Sequence, residues 1–343
     1  MAIKFKADNT RGGTGLILGK FMPPHRGHLF LIDFARQYVD HLTVLVCSIE
    51  SEPIPGKLRY QWMRQLCHGV EVVHVTDELP QEPCEHPDFW QLWHDRIRQS
   101  LPVGPDYVFA SEDYGWKLAE VLGAQYVPVD HARQVVPISG TLMRQDPMRH
   151  WDQLPECVRP YYLKRICVFG PESTGKSTLA TQLAQHYKTV YAWEYARPLL
   201  DFKNGVAEPD DIPKIVRGQI ATEEALAPKA NRVLFCDTDV LTTTIWSEVL
   251  FGSCPDWVRE EANRRYYDLY LLLDIDVPWV DDNQRFFRST EERRAFFDLC
   301  KRTLDENQRE YVIIRGDWDK RLSQAIDAVD RLITGETDSI AEH

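Results

Sequence analysis

Short apolar runs, each too brief for a helix, alternate with amphipathic stretches along the whole chain. In the first half the runs at residues 16–19, 42–49, 70–75, 107–110 and 126–129 predict strands buried on both faces, with helical periodicity between them. The second half repeats the pattern, with strand candidates at 165–169, 190–193, 233–236, 269–274 and 311–314. Such alternation implies parallel sheets covered by helices, with ligand sites at the carboxyl ends of the strands, where residues 19–28 and 111–114 fall. Prolines at 147, 155 and 160, with aromatics between them, mark residues 145–163 as a packed joint. The pattern predicts two α/β domains, at 1–150 and 164–343, joined by a linker at 151–163.

Composition agrees with that division, because 343 residues exceed what one core usually organises. A net charge of −12 without any long basic block argues against free nucleic acid as a partner. It leaves nucleotides open, since a cleft needs only a few local cations and backbone N–H groups. Eight cysteines without a Cys-x-x-Cys pair read as reduced thiols, several within apolar runs. The chain carries neither a long apolar run nor a charged-then-apolar leader, so the expectation is a cytoplasmic protein without a membrane partner. Its oligomeric state is left open, homo-oligomers included.

The segment Gly170-Pro171-Glu172-Ser173-Thr174-Gly175-Lys176-Ser177 closes one strand candidate and opens a helical run beginning at Thr178. It is a complete phosphate-binding loop. Gly170 and Gly175 let the N–H groups of the loop, including those at Ser173 and Thr174, turn toward phosphates; Lys176 supplies charge and Ser177 a hydroxyl for Mg²⁺. Acidic residues at neighbouring strand ends suit a kinase: Asp237 as the Mg²⁺ ligand and Glu194 as the general base, with Asp239 as the alternative. Either carboxylate could instead clamp ribose hydroxyls, and strand-end acids also cap helices. Residues 279–288 hold two arginines three apart, of which Arg285 suits a lid over the transferring phosphoryl group, whereas Arg293 and Arg294 read as ordinary ion-pairing residues of the following helix.

The first domain carries Gly19-Lys20-Phe21-Met22-Pro23-Pro24-His25-Arg26-Gly27-His28 between a strand and a helix. His25 and His28 share one face of a helix N-terminus, where imidazoles and backbone N–H groups can meet phosphate oxygens. This segment resembles the nucleotidyltransferase signature Gly-x-Phe-x-Pro-x-His-x-Gly-His. Ile138-Ser139-Gly140-Thr141-Leu142-Met143-Arg144 is similar to a second element of that family. Together with Trp90-Gln91-Leu92-Trp93 and Val129-Asp130-His131-Ala132-Arg133, the order of motifs resembles the bifunctional bacterial family that joins nicotinamide mononucleotide adenylyltransferase to ribosylnicotinamide kinase.

That resemblance covers nearly the whole chain. It implies a Rossmann-like domain followed by a P-loop kinase domain, ATP and Mg²⁺ as co-substrate and cofactor, and nicotinamide riboside, nicotinamide mononucleotide and NAD as small-molecule partners. It implies that Gly19, Phe21, Ser139 and Thr141 meet ATP, that Lys20, His25, His28 and Arg144 hold the leaving pyrophosphate, and that Trp93 or Trp90, with Asp130 and Arg133, holds the mononucleotide. Whether the ring is nicotinamide or nicotinic acid is left open; a cation near Trp93 would decide it, and Arg96 is the candidate. In the kinase it implies that Tyr195, Arg197, Asp239 and Asp282 surround the riboside, and Phe286 and Phe287 depart from its lid pattern. Some members carry an N-terminal helix-turn-helix domain; about fourteen residues precede the first strand here, so no direct transcriptional role is expected. Two other readings fit the motifs: a coenzyme A-type pairing of the same folds, opposed by the tryptophans, and a nucleotide sensor with one active half.

Overall fold

The computed structural model describes residues 12–280, 286–287 and 289–335. Its chain divides into two compact units, residues 1–158 and 159–343, each built on a five-stranded sheet.

In the first unit the strands are β1 (Thr14–Gly19), β2 (His41–Cys47), β3 (Glu71–Val75), β4 (Tyr107–Ala110) and β5 (Gln125–Pro128). All pair in parallel, in the order β3-β2-β1-β4-β5. Because successive side chains point to opposite faces, Leu16, Leu45 and Val108 enter one core while Ile17, Val44 and Phe109 enter another. Helix Arg26–Tyr38 covers the second core with Leu31, Ile32 and Ala35. Helix Phe89–Ser100 covers the first with Phe89, Trp93 and Ile97, at i, i+4 and i+8. The strand order reverses direction on either side of β1, so a crevice opens between the ends of β1 and β4.

The second unit has β6 (Lys164–Phe169), β7 (Tyr191–Ala192), β8 (Val233–Asp237), β9 (Leu269–Leu273) and β10 (Tyr311–Ile314), in parallel order β10-β9-β6-β8-β7. β8 and β9 are buried at every residue, as expected for central strands covered on both faces. Helices Lys176–His186 and Trp318–Thr334 pack on one face through Leu179, Leu183, Ala325 and Val329. β6 lies between β8 and β9, which sets the phosphate loop beside the acidic end of β8.

All ten strands expected from the apolar runs are present, with ends shifted by one or two residues. The largest shifts are two residues, at the start of β1, which begins at Thr14, and at the end of β2, which stops at Cys47 where the expected run continued to residue 49. No helix among the described residues is long and apolar enough to cross a membrane.

Candidate active sites

In the first unit β1 delivers the chain at Gly19 into a loop that returns as helix Arg26–Tyr38. His25 caps that helix, and the two imidazoles stack with centroids 3.7 Å apart. The His25 backbone N–H donates to His28 Nδ1 at 3.3 Å. An acceptor at Nδ1 leaves the proton of a neutral imidazole on Nε2, so His28 offers a donor outward. Burial, first of all, and then the nearby Arg133 guanidinium push His25 down to about 4; burial, His25 and Arg133 push His28 well below its usual value. Both rings are therefore neutral donors near pH 7. His25 Nδ1 is buried without a hydrogen-bond partner among the described residues.

The pocket above the pair is lined by both histidines and Ser139, together with Ser111, Asp130 and Arg133 from the loops after β4 and β5. Asp130 binds the loop to itself, accepting from the N–H groups of Gln134, Val135 and Val136 at 2.8–3.0 Å. Arg133 is held by Glu112 at 3.1 Å. Arg144 donates to the Met22 carbonyl at 2.5 Å and to Thr141 Oγ1 at 3.3 Å, which ties the second motif to the first; Ser139 caps its short helix at Leu142 N. Phe21, buried and with φ +48°, meets His28 edge-on at 4.9 Å, so it orients that ring. Gly27 allows a close approach, since a Cβ there would lie 3.0 Å from the His25 ring.

One residue was not legible as part of this site. Arg59 is fully buried and donates to the carbonyls of Lys20, Cys47 and Ile54, and to Glu52. Glu52 also meets Lys20 Nζ at 3.1 Å. With Arg59 balancing Glu52, the cluster keeps the net positive charge of Lys20. Nothing in the local sequence marks this arginine, because its partners come from three separate segments.

The tryptophans are placed differently from the expectation. Trp93 is 7% exposed, packs in the core and donates its indole N–H to Pro80 O at 3.0 Å. Trp90 is half-buried against the same core. Among the described residues neither lines the histidine pocket, because helical spacing puts Trp93 on the apolar stripe with Phe89 and Ile97. Arg96 is paired with Asp77 at 2.5 Å.

In the second unit the loop after β6 turns through Gly170, Ser173 and Gly175, all with positive φ. Lys176 Nζ and Thr174 Oγ1 both donate to Pro171 O at 2.8 Å, and Ser173 Oγ exchanges bonds with the backbone of Val280. The side chains of Ser173 and Thr174 thus hold the loop, leaving its N–H groups for phosphate; Ser177 and Thr178 are exposed at the start of the helix. Asp237, 2% exposed, stands at the end of β8 beside Ser177, and its Oδ1 has no hydrogen-bond partner among the described residues. Burial and the charge of Glu194, opposed by Lys176, push its carboxyl up to about 6.

Lys176 and Glu194 line one pocket with Arg197, Gln219, Thr243 and Trp246. Glu194 is 3.6 Å from Arg197 Nε. Gln219 accepts from the Tyr195 backbone N–H at 3.0 Å and donates to buried Glu223 at 3.2 Å, which fixes the loop carrying Glu194. Neither Gln219 nor Trp246 carries a local signal; both reach the pocket from helices whose other faces are buried.

Asp239 departs from the expected ribose clamp. It is 1% exposed, caps helix Val240–Phe251 through Thr242 N and Oγ1 at 2.8 Å, and accepts the Tyr270 hydroxyl at 2.8 Å. Thr238, with φ +68°, breaks the strand alternation, so two acids two residues apart face different surroundings. Arg294 pairs with Asp274 at 3.0 Å as expected of an ion-pairing residue, but Arg293 is buried and donates to Ser173 O of the phosphate loop at 3.4 Å. Phe287 N donates to Glu172 at 2.6 Å, and its ring stacks on Trp246. Asp282 and Arg285 lie outside the described residues.

A Mg²⁺ ion fits the donors present. A buried carboxylate oxygen without a partner, the Ser177 hydroxyl and Glu194 face the phosphate loop. No group of three or more His, Cys, Asp or Glu among the described residues could hold a metal, so the remaining ligands would be phosphate oxygens and water.

Comparison with known proteins agrees with this division. Residues 16–146 match a family described as cytidylyltransferase-like, and residues 165–321 match one described as an AAA domain. The chain is 30% identical to the trifunctional NAD biosynthesis/regulator protein NadR of Escherichia coli, over 94% of this chain and 83% of that protein. It is likewise 30% identical to the NadR of Salmonella typhimurium, over 93% and 83%. Two solved structures of NadR, one in complex with NR and one with NAD and AMP-PNP, share the fold, with TM-scores of 0.76 and 0.74 at 22% identity, over 96–97% of this chain and 98–99% of theirs. With nearly its whole length matched at 30% identity, the chain belongs to the NadR family of NAD biosynthesis proteins.

Proposed function

We propose that the second unit phosphorylates the 5′-hydroxyl of nicotinamide riboside with ATP, and that the first unit joins the resulting mononucleotide to a second ATP, giving NAD and pyrophosphate. The reading is carried by the different chemistry of the two sites within one NadR-family chain. One offers two neutral imidazoles in a pocket whose carboxylates, Asp130 and Glu112, are bound to their own loop and to Arg133; the other offers a carboxylate beside a phosphate loop.

In the kinase step the riboside O5′ bonds to the γ-phosphorus, the bond to the β-phosphate oxygen breaks, and ADP leaves. A hydroxyl is a poor nucleophile until its proton moves, and Glu194 on the pocket wall takes it, held in place by Arg197. The loop N–H groups and Lys176 grip the phosphates; Asp237 and Ser177 would hold the metal. Bound Mg²⁺ supplies charge neutralisation at the phosphate oxygens.

Adenylyl transfer needs no base, because the attacking oxygen belongs to a phosphate that is already ionised. It bonds to the α-phosphorus as the α–β bridge breaks and pyrophosphate departs. His28 donates from Nε2 to charge that develops on the phosphates, and Lys20, His25 and Arg144 hold the leaving group. Placement of the mononucleotide by Asp130 and Arg133 rests on their position in the histidine pocket. Reactions of this kind suit a cytoplasmic protein with ATP at hand.

Incubation of the purified chain with ATP, Mg²⁺ and nicotinamide riboside as the only acceptor tests both steps. NAD among the products is the expected result. Accumulation of the mononucleotide alone would remove the proposed acceptor of the first unit, and no reaction, with NAD formed on feeding the mononucleotide, would leave the second unit a nucleotide sensor.

A further inference from the structure

The strand order of the second unit restricts where the donor's base can lie. β6, which carries the phosphate loop, has β8 on one side and β9 on the other. The β8 side is occupied by the acceptor pocket of Glu194, Thr243 and Trp246. A nucleotide gripped by its phosphates must therefore extend its nucleoside over the ends of β9 and β10, still in the crevice at the carboxyl edge of the sheet.

There the chain leaves β10 at Ile314 and enters helix Trp318–Thr334. Trp318 is 47% exposed, although it is the largest apolar side chain of that turn. Its six-membered ring lies against Gly175 of the phosphate loop, where an added Cβ would come within 2.4 Å and 2.7 Å of ring atoms and where φ is +85°. Arg321, buried beneath the ring with its guanidinium carbon 5.9 Å from the centroid, donates to the carbonyls of Thr174, Asp274 and Gly316, each at 2.8 Å. One buried arginine thus binds the phosphate loop, the end of β9 and the turn that carries Trp318.

We propose that Trp318 is the stacking platform for the purine base of the phosphoryl donor. The inference rests on the second unit being an ATP-dependent kinase. An indole face stacks on any purine, so it raises affinity for nucleotides over bare polyphosphate without choosing strongly between adenine and guanine.

The test replaces Trp318 by leucine, which keeps apolar packing on Gly175 and removes the ring face. Binding of a fluorescent ADP analogue is measured in the presence of Mg²⁺, and the part abolished by Lys176→Ala is assigned to this loop. Displacement by ADP and by inorganic tripolyphosphate is then compared between wild type and Trp318→Leu. We expect the variant to bind ADP about tenfold more weakly, with tripolyphosphate affinity and thermal midpoint unchanged and Trp318→Phe recovering most of the loss. Equal losses for ADP and tripolyphosphate, or no loss for either, would overturn the proposal. Because the readout is binding, a chain that fails to phosphorylate nicotinamide riboside would overturn the kinase reading and still leave this result interpretable.

Discussion

Two phosphate-gripping turns in this chain leave the central strand of a parallel sheet in the same way, yet they are built with opposite electrostatics. The first brings together two stacked, neutral imidazoles, Lys20 and Arg144, and its acids are already engaged: Glu52 by Arg59, Glu112 by Arg133 and Asp130 by the N–H groups of its own loop. The second sets Lys176 against two carboxylates, Asp237 and Glu194. The difference follows the nucleophile. A phosphate oxygen attacks without losing a proton, so only donors are needed; a ribose hydroxyl needs a base and, beside it, a metal to offset the gathered negative charge.

The sharpest way to break this comparison is to remove one cation. Lys176→Ala should lower riboside phosphorylation by on the order of 10³-fold, while adenylyl transfer stays within about twofold of wild type, measured by separate product assays. Loss of both activities would mean that the sites are not independent. His28→Ala should do the reverse on a smaller scale, lowering adenylyl transfer by on the order of 10²-fold with phosphorylation intact, since it removes one donor from a site that keeps several.

Acidity should separate the sites next. Asp237 must be ionised to accept a metal, and burial and the charge of Glu194 push its carboxyl up to about 6, so kcat/KM for phosphorylation should fall as the pH drops through that value and stay level above it. His25, pushed down to about 4, and His28, lower than usual, remain neutral from pH 5 to 8. The corresponding profile for adenylyl transfer should show no histidine step in that range, and a break near 6.5 would overturn the neutral-donor account. The smallest effect should come from Asp239→Ala, which removes a helix cap and a partner of Tyr270. We expect about 1–2 kcal/mol of lost stability in thermal or urea unfolding, with KM for riboside changed less than for Glu194→Gln.

The fold was legible because its signals are local. Apolar runs of four to eight residues marked every strand, and the glycine, lysine and histidine spacings marked both turns, since each of those residues answers to its immediate backbone. The same local reading placed Glu194 and Asp237 together with Lys176, and His25 with His28. It misplaced Trp93, whose helical register points it into the core, and Asp239, whose neighbour Thr238 turns the chain away from the strand path. It gave no sign of Arg59, Gln219 or Arg321.

Those three residues share a physical reason for being hidden. Each satisfies backbone or side-chain groups from segments far apart in sequence, and the favourable contacts exist only after the strands have paired and the loops have closed. The sequence by itself determined the parallel sheets, their order of elements and the two phosphate-binding turns, because hydrophobic period and turn chemistry act over a few residues. Tertiary structure alone decided which acid lines the pocket beside the phosphate loop and which caps a helix, which tryptophan is core and which is exposed beside the loop, because burial and partnership belong to surfaces that distant segments build together.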